Sequence, residues 1–395
     1  MTETKKRRAL LAGYSAVQAF YWLGYCCIGS FAAVYLQNRL YSNAALGLIV
    51  ALGNVGGFLL APVLAARIDR SEKITVRHCL YALLLLEAIL ELLLIGLPGK
   101  TLAVSVVFIL LMTGAVAVSP LDTELCFEMD PDGRYINFGI SRSFGSVGYA
   151  LGMFLLGRLV VRYSPELLPR ASLAMIAVQG VVLAFVSRRA GASGERRETE
   201  KEKSLSLPAF LRAHKRFVLF CFGTGLLIFS NSLPSCFLIN VVENLGGDAS
   251  HMGTLACITA LMEVPVMCFY TRLTRNIRCS TAVRIAACAF ILKGFTYVIA
   301  RSIPALYVMS ITQMLSYGLL VPALVDYVGI VIPYRDSAKG QTISSTMMTL
   351  GTVFANRLGG VLLDRMSVTR TLCVGMAVCA VGTILCFLTV DAKRA

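Results

Sequence analysis

The chain has 395 residues, of which 57% are hydrophobic and only 15% charged. A soluble domain carries about a quarter charged residues, so much of this apolar surface must lie in lipid, and a string of globular domains is excluded. The formal net charge of +15 would suit a nucleic-acid binder, but the basic residues sit at the ends of apolar segments, which marks membrane topology and leaves no nucleic-acid partner.

About twelve segments reach the roughly 20 residues needed to cross a hydrocarbon core. They are expected near 10–36, 43–66, 76–97, 101–125, 137–161, 169–188, 216–242, 250–272, 280–300, 304–332, 338–363 and 368–390. The first apolar run continues past Ala33 with no cleavage site, which predicts a spanning helix and not a signal peptide. Basic residues crowd alternate segment ends: Lys5, Lys6, Arg7 and Arg8, then Arg67, Arg70, Lys73 and Arg77, then Arg188 to Arg216, then Arg272, Arg275 and Arg278. The intervening turns hold far fewer, such as Arg39, Lys100 and Arg301. This asymmetry predicts a multi-pass protein of the inner, cytoplasmic membrane whose N-terminus, central loop and C-tail (Lys393, Arg394) face the cytoplasm.

Residues 189–215 mix charge with small residues and read as a cytoplasmic linker, with a short amphipathic piece at Leu207 to Arg212. The linker separates an N-terminal half (1–188) from a C-terminal half (216–395), each with six segments. The halves share traces of a repeat: segment two parallels segment eight, segment five parallels segment eleven, and Asp122 follows Pro120 as Asp326 follows Pro322. The expected fold is therefore an all-α integral membrane protein, about twelve transmembrane helices in two pseudo-symmetric six-helix bundles, with a solute site near the midplane.

The thirteen cysteines lack CxxC or Cys/His spacing, so no metal site, disulfide framework or cofactor is expected. No HExxH, phosphate-binding loop or nucleophile elbow appears, and the three histidines lie near segment ends, so an enzyme is not expected.

The informative residues are ionisable groups at membrane depth, each of which costs at least a few kcal/mol unless it pairs or meets a ligand. Asp122, Glu124 and Arg142 lie in the stretch Pro120–Gly157; Glu87 and Glu91 are one turn apart in segment three; Glu263 is mid-segment eight, Lys293 mid-segment nine, and Arg357 late in segment eleven. Glu91 is nearer the outer end and is expected to snorkel. Glu263 and Lys293 could form a structural ion pair or act directly on solute or proton. Asp69 with Arg70, and Asp364 with Arg365, follow segments two and eleven and read as structural or gating pairs. Gly53, Gly57, Gly145, Gly148 and Gly152 fall on single helix faces and predict close helix packing.

The six-plus-six layout, the basic turn ARIDRSEK and the signature NFGISRSFGSVGYALG resemble the major facilitator superfamily, most closely the branch of lactose and phenylpropionate permeases. The turn departs from the family pattern in having Ala65 in place of the usual glycine. The resemblance implies that Glu124 and Arg142, eighteen positions apart as in the family and with Arg142 inside the shared FG-x-x-R-x-FG pattern, form the sugar-binding pair, with Tyr149 in place of the stacking aromatic. It further implies that Glu263 is a substrate-contacting acid and that Lys293 replaces an arginine. The family's proton-carrying histidine and glutamate are replaced by Ser316 and Leu319, and an interhelical charge pair by neutral residues around Asn231 and Gln313. A titrating carboxyl would then come from Glu263, Asp326, Asp122 or Glu87.

The expected function is secondary active transport of a small polar, saccharide-like solute by alternating access, with proton symport, in a monomer. The expected binding set is Glu124, Arg142, Tyr149, Glu263, Lys293, Trp22 and Asn231. Alternatives are a permease for an aromatic acid or nucleoside, a drug or metabolite exporter, and a membrane sensor that binds a ligand without moving it.

Overall fold

The structure is a computed structural model describing residues 3–71, 73–130, 135–190, 206–275 and 277–390. Residues 191–205 of the expected linker and the tail basics Lys393 and Arg394 lie outside them, as do the side chains of Lys5, Lys6, Arg7 and Arg188. The chain divides into two compact units, Met1–Arg197 with Asp248–Ala260, and Glu198–Gly247 with Leu261–Ala395.

The first unit contains α1 (Glu3–Tyr25), a π-helical turn (Cys26–Ser30), α2 (Ala32–Asn38), α3 (Asn43–Arg70), α4 (Val76–Gly96), α5 (Leu102–Met129), α6 (Phe138–Arg162) and α7 (Leu167–Ala190). Side-chain oxygens start several of these helices by accepting an otherwise orphaned backbone N–H: Ser42 from Ala45, Thr101 from Val104 and Asn137 from Ile140. The second unit contains α8 (Leu207–Ala213), α9 (Lys215–Cys236) and α10 (Leu238–Glu243). The boundary between the units falls inside α11 (Ala249–Leu273). There follow α12 (Cys279–Ile299), α13 (Ile303–Met309), α14 (Thr312–Leu315), α15 (Tyr317–Val331), α16 (Ser337–Arg365) and α17 (Val368–Thr389). The expected amphipathic piece is α8, which buries Phe210.

The internal packing of the two units repeats. In the first, α1 packs on α6 and α7, and α4 on α5 and α7; in the second, α9 packs on α16 and α17, and α12 on α15 and α17. Small residues set the closest approaches in both. Gly148 of α6 lies against the Ala19 backbone in α1, where a Cβ would come within 2.5 Å of a carbonyl oxygen; Gly351 of α16 lies against Gly225 of α9 in the same way, at 2.2 Å. Without a hydrophobic drive between helices in lipid, such backbone proximity is a main source of association.

Among the described residues ten helices are long and apolar enough to cross a membrane, and the bent pair at the N-terminus brings this to eleven. The expected segment 338–363 is α16, which is long enough at 29 residues but carries many hydroxyls. Those hydroxyls are satisfied within the helix: Thr342, Ser345, Thr346 and Thr349 each donate to the carbonyl four residues back. The first expected span, 10–36, is interrupted by the π turn and bends by 41°. The seventh breaks at Phe237, three residues beyond the interior Pro234, and the tenth is divided into α13, α14 and α15.

Both ends of the first unit are fastened by an arginine. Arg39 is buried and grips Glu166 through Nε (3.0 Å) and Nη2 (2.7 Å), while its Nη1 donates to Leu97 O at 2.8 Å. At the opposite end Arg77 pairs with Glu128 at 2.7 Å and donates to Ser187 O at 3.2 Å. The Glu166 side chain is 40% exposed, which weakens the first pair by screening. Arg39→Ala is expected to lower stability by about 1–3 kcal/mol, the scale of hydrogen bonds to charged groups, seen as a lower Tm in detergent. An unchanged Tm would mean that water replaces the pair without loss. Before α11, Asp248 accepts from the backbone N–H groups of Ser250 and His251. Burial works against its charge, but the hydrogen bonds from His251 and Ser250 hold its carboxyl below the ordinary range.

Candidate functional site

In the first unit a polar and aromatic cluster forms where α6 crosses α1. The Arg142 guanidinium lies 4.4 Å from the centre of the Trp22 ring, a cation–π geometry. Trp22 meets Tyr149 edge to face, with ring centres 6.1 Å apart. The Tyr149 hydroxyl is 2.9 Å from Ser30 Oγ, which the π turn carries toward it. Gly145 makes this possible, because a Cβ there would lie 2.6 Å from the Trp22 ring. Sequence reasoning passed over Ser30; a small hydroxyl closing the CCIGS run was the available sign.

Asp122 and Glu124 lie two residues apart on α5, about 200° around a helix, so one faces the bundle when the other does not. Asp122 is the buried one, at 1% exposure, and its backbone carbonyl accepts from Tyr14 Oη at 2.8 Å. Glu124 is exposed. Glu91, expected to snorkel, is instead fully buried at 0% exposure, because α7 covers that face of α4 and brings Ser172 over it. Glu87 is buried as well.

The second unit holds a connected chain of polar groups. Lys293 of α12 is buried and donates to Asn231 Oδ1 of α9 at 2.6 Å. It also donates to Gln313 Oε1 of α14, and Gln313 Nε2 in turn donates to Glu263 Oε1 of α11. The break that isolates α14 turns Gln313 inward, and Gly318 lets α15 approach the Glu263 backbone. A small cavity of about 10 Å³ borders Asn231, Lys293 and Tyr297. The structure thus brings Asn231, Lys293 and Glu263 together through Gln313, whose bridging role was not visible as spacing. Asp326 is exposed on α15; Asp69 and Arg70 are exposed at the end of α3, and Asp364 and Arg365 at the end of α16.

An ammonium and a carboxylate joined through one amide can hold a polar solute in the amide's place, since hydroxyl groups also offer a donor and an acceptor together. Residues 14–374, from α1 into α17, match the family described as MFS_1 like. The chain belongs to the MFS_1 like family. It is accordingly a multi-pass transporter of the major facilitator type, not an enzyme. This MFS_1 like chain is 25% identical over 383 residues to a maltose permease of Geobacillus stearothermophilus, covering 95% of the chain and 93% of that protein. It is 21% identical to the uncharacterized transporter YwbF of Bacillus subtilis, covering 90% of the chain and 88% of YwbF. Its fold is similar to a mutant of the nucleoside transporter NupG, with a TM-score of 0.82, 12% identity, and coverage of 98% of this chain and 100% of that one. It is also similar to an inward-facing bacterial homologue of the human lysosomal transporter Spinster, with a TM-score of 0.71, 12% identity and 98% coverage of both chains. These low identities speak for the fold alone.

Proposed function

We propose that the protein is a secondary active transporter of a small polar organic solute, saccharide-like, working by alternating access with proton symport. The observation that carries this reading is the buried Lys293 held on the neutral amides of Asn231 and Gln313, with Glu263 as the next member of the chain. A buried ammonium satisfied by exchangeable amide contacts is suited to a ligand with several hydroxyls, and a carboxyl one step away can gain or lose a proton as the ligand comes and goes. The permease likeness over nearly the whole chain supports a sugar as solute. Glu124, Arg142, Tyr149 and Trp22 are the recognition residues we assign in the first unit, and Asn231, Lys293 and Glu263 in the second. Asp326, Asp122 and Glu87 are further proton-carrying groups, and the pairs Asp69–Arg70 and Asp364–Arg365 act in gating. The basic turns support an inner-membrane protein with cytoplasmic termini, and we take it to act as a monomer.

A second reading, a nucleoside or aromatic-acid permease, is favoured by the Trp22–Tyr149 ring pair beside Arg142, which could take a flat ring and an anion. Exchange of labelled maltose and uridine in proteoliposomes, each challenged by sugars, nucleosides and aromatic acids, separates the two. Arg142→Gln is expected to weaken apparent solute affinity at least about 30-fold, the low end for truncating one partner of a charged, hydrogen-bonded contact. Unchanged affinity would remove Arg142 from the binding set.

A further inference from the structure

Glu87 and Glu91 turn into the first unit and line a cavity with Tyr21, Tyr25, Ser172 and Gln179. Its free space of about 20 Å³ holds one particle the size of a water molecule. Glu91 is 0% exposed and Glu87 7%, and both oxygens of Glu91 and Oε1 of Glu87 have no hydrogen-bond partner among the described residues. Gly114 of α5 keeps the place open, since a Cβ there would lie 2.8 Å from Glu87 Oε1. The other titratable groups facing these acids are Tyr21 and Tyr25 from α1, Cys27 from the π turn, Tyr35 from α2 and Asp122 from α5; α7 contributes the neutral Ser172 and Gln179. Among the described residues, no lysine, arginine or histidine lines the cavity.

Two carboxyl groups in such surroundings cannot both stay ionised without positive charge beside them. The acceptors lining the cavity, on Glu87, Glu91, Tyr21, Tyr25, Ser172 and Gln179, are oxygens, a hard set that favours an alkali cation or a proton over a soft metal. We infer that Glu87 and Glu91 form the site of the coupling ion, a small monovalent cation held on oxygen within the first unit. The inference rests on the reading of the protein as a coupled transporter, and a sodium response would put sodium in the proton's place as its coupling ion. In the cation-free state the carboxyls carry protons. Sodium entering displaces one proton, which leaves to water, so the charge in the cavity is unchanged; where the proton itself is the coupling ion, the pair loads and unloads it.

The test uses the full-length protein, purified and in proteoliposomes, with Glu87→Gln and Glu91→Gln. Glutamine matches a protonated glutamate in shape, so both variants are expected to keep the wild-type size-exclusion profile, and Glu91→Asp provides a variant that retains the carboxyl. Melting is followed in NaCl against choline chloride at equal ionic strength. A rise with NaCl that grows with pH in wild type and is lost in both glutamine variants identifies sodium. If NaCl has no effect, the proton is identified by a loss of pH-gradient-driven accumulation of at least about tenfold in the variants while exchange at equilibrium stays near wild type. Gradient-driven accumulation and NaCl response both equal to wild type in Glu87→Gln and Glu91→Gln would overturn the assignment. Absence of exchange in wild type would overturn the transporter reading instead, and is told apart because the dependence of melting on NaCl and pH, compared between wild type and the two glutamine variants, is read without transport.

Discussion

Lys293→Met is expected to abolish gradient-driven accumulation and to destabilise the protein by about 2–4 kcal/mol, close to the range for removing one partner of a buried charged set. The ammonium donates to two acceptors at once, Asn231 Oδ1 and Gln313 Oε1, and its loss removes a donor from the half-buried Asn231 and from the buried Gln313. It also leaves Glu263 tied to an amide that no longer leads to a positive charge. Combining Lys293→Met with Glu263→Gln is therefore expected to recover stability relative to the sum of the single variants, with a coupling of about 0.5–3 kcal/mol in thermal or denaturant unfolding. Strict additivity would mean that Gln313 insulates the two charges and does not link them.

Gly351→Val is expected to remove most folded, monodisperse protein. A Cβ at this position would lie 2.2 Å from Gly225 O and 3.2 Å from the Phe229 nitrogen, and both are backbone atoms that no rotamer change can move. The helices α9 and α16 must separate, and α9 also packs on α17, so the strain reaches two interfaces. Overpacking of a close-packed interior costs about 1–3 kcal/mol, and more when backbone has to shift. Gly180→Val is the matched control, since a Cβ there meets nothing within 4 Å. Size-exclusion profiles and Tm of the two variants side by side decide the matter; equal behaviour would mean that the α9–α16 crossing adapts.

Most of the helical layout was legible because apolar length and basic flanks are one-dimensional quantities. The interruptions were not. A π turn at Cys26–Ser30 changes hydrogen-bond register without changing hydropathy, and the separation of α14 from its neighbours is equally silent in composition. Depth along a segment also misjudged Glu91: distance from a helix end predicts access to the interface only when no neighbouring helix covers that face, and α7 does. Which of Asp122 and Glu124 is buried depends on rotational phase, fixed here by α1 through Tyr14. Gln313 could be read as a neutral substitute for a charge, but its reach to both Lys293 and Glu263 needs the α14 turn.

The most direct measurement is counterflow of labelled small polar solutes into proteoliposomes containing the purified protein, with no ion gradient imposed. Wild type is expected to exchange at least one saccharide or similarly polar solute, and Lys293→Met to fail with the same solute. A solute that raises the Tm of the purified protein yet shows no counterflow under any condition would contradict transport and leave a ligand-binding membrane sensor.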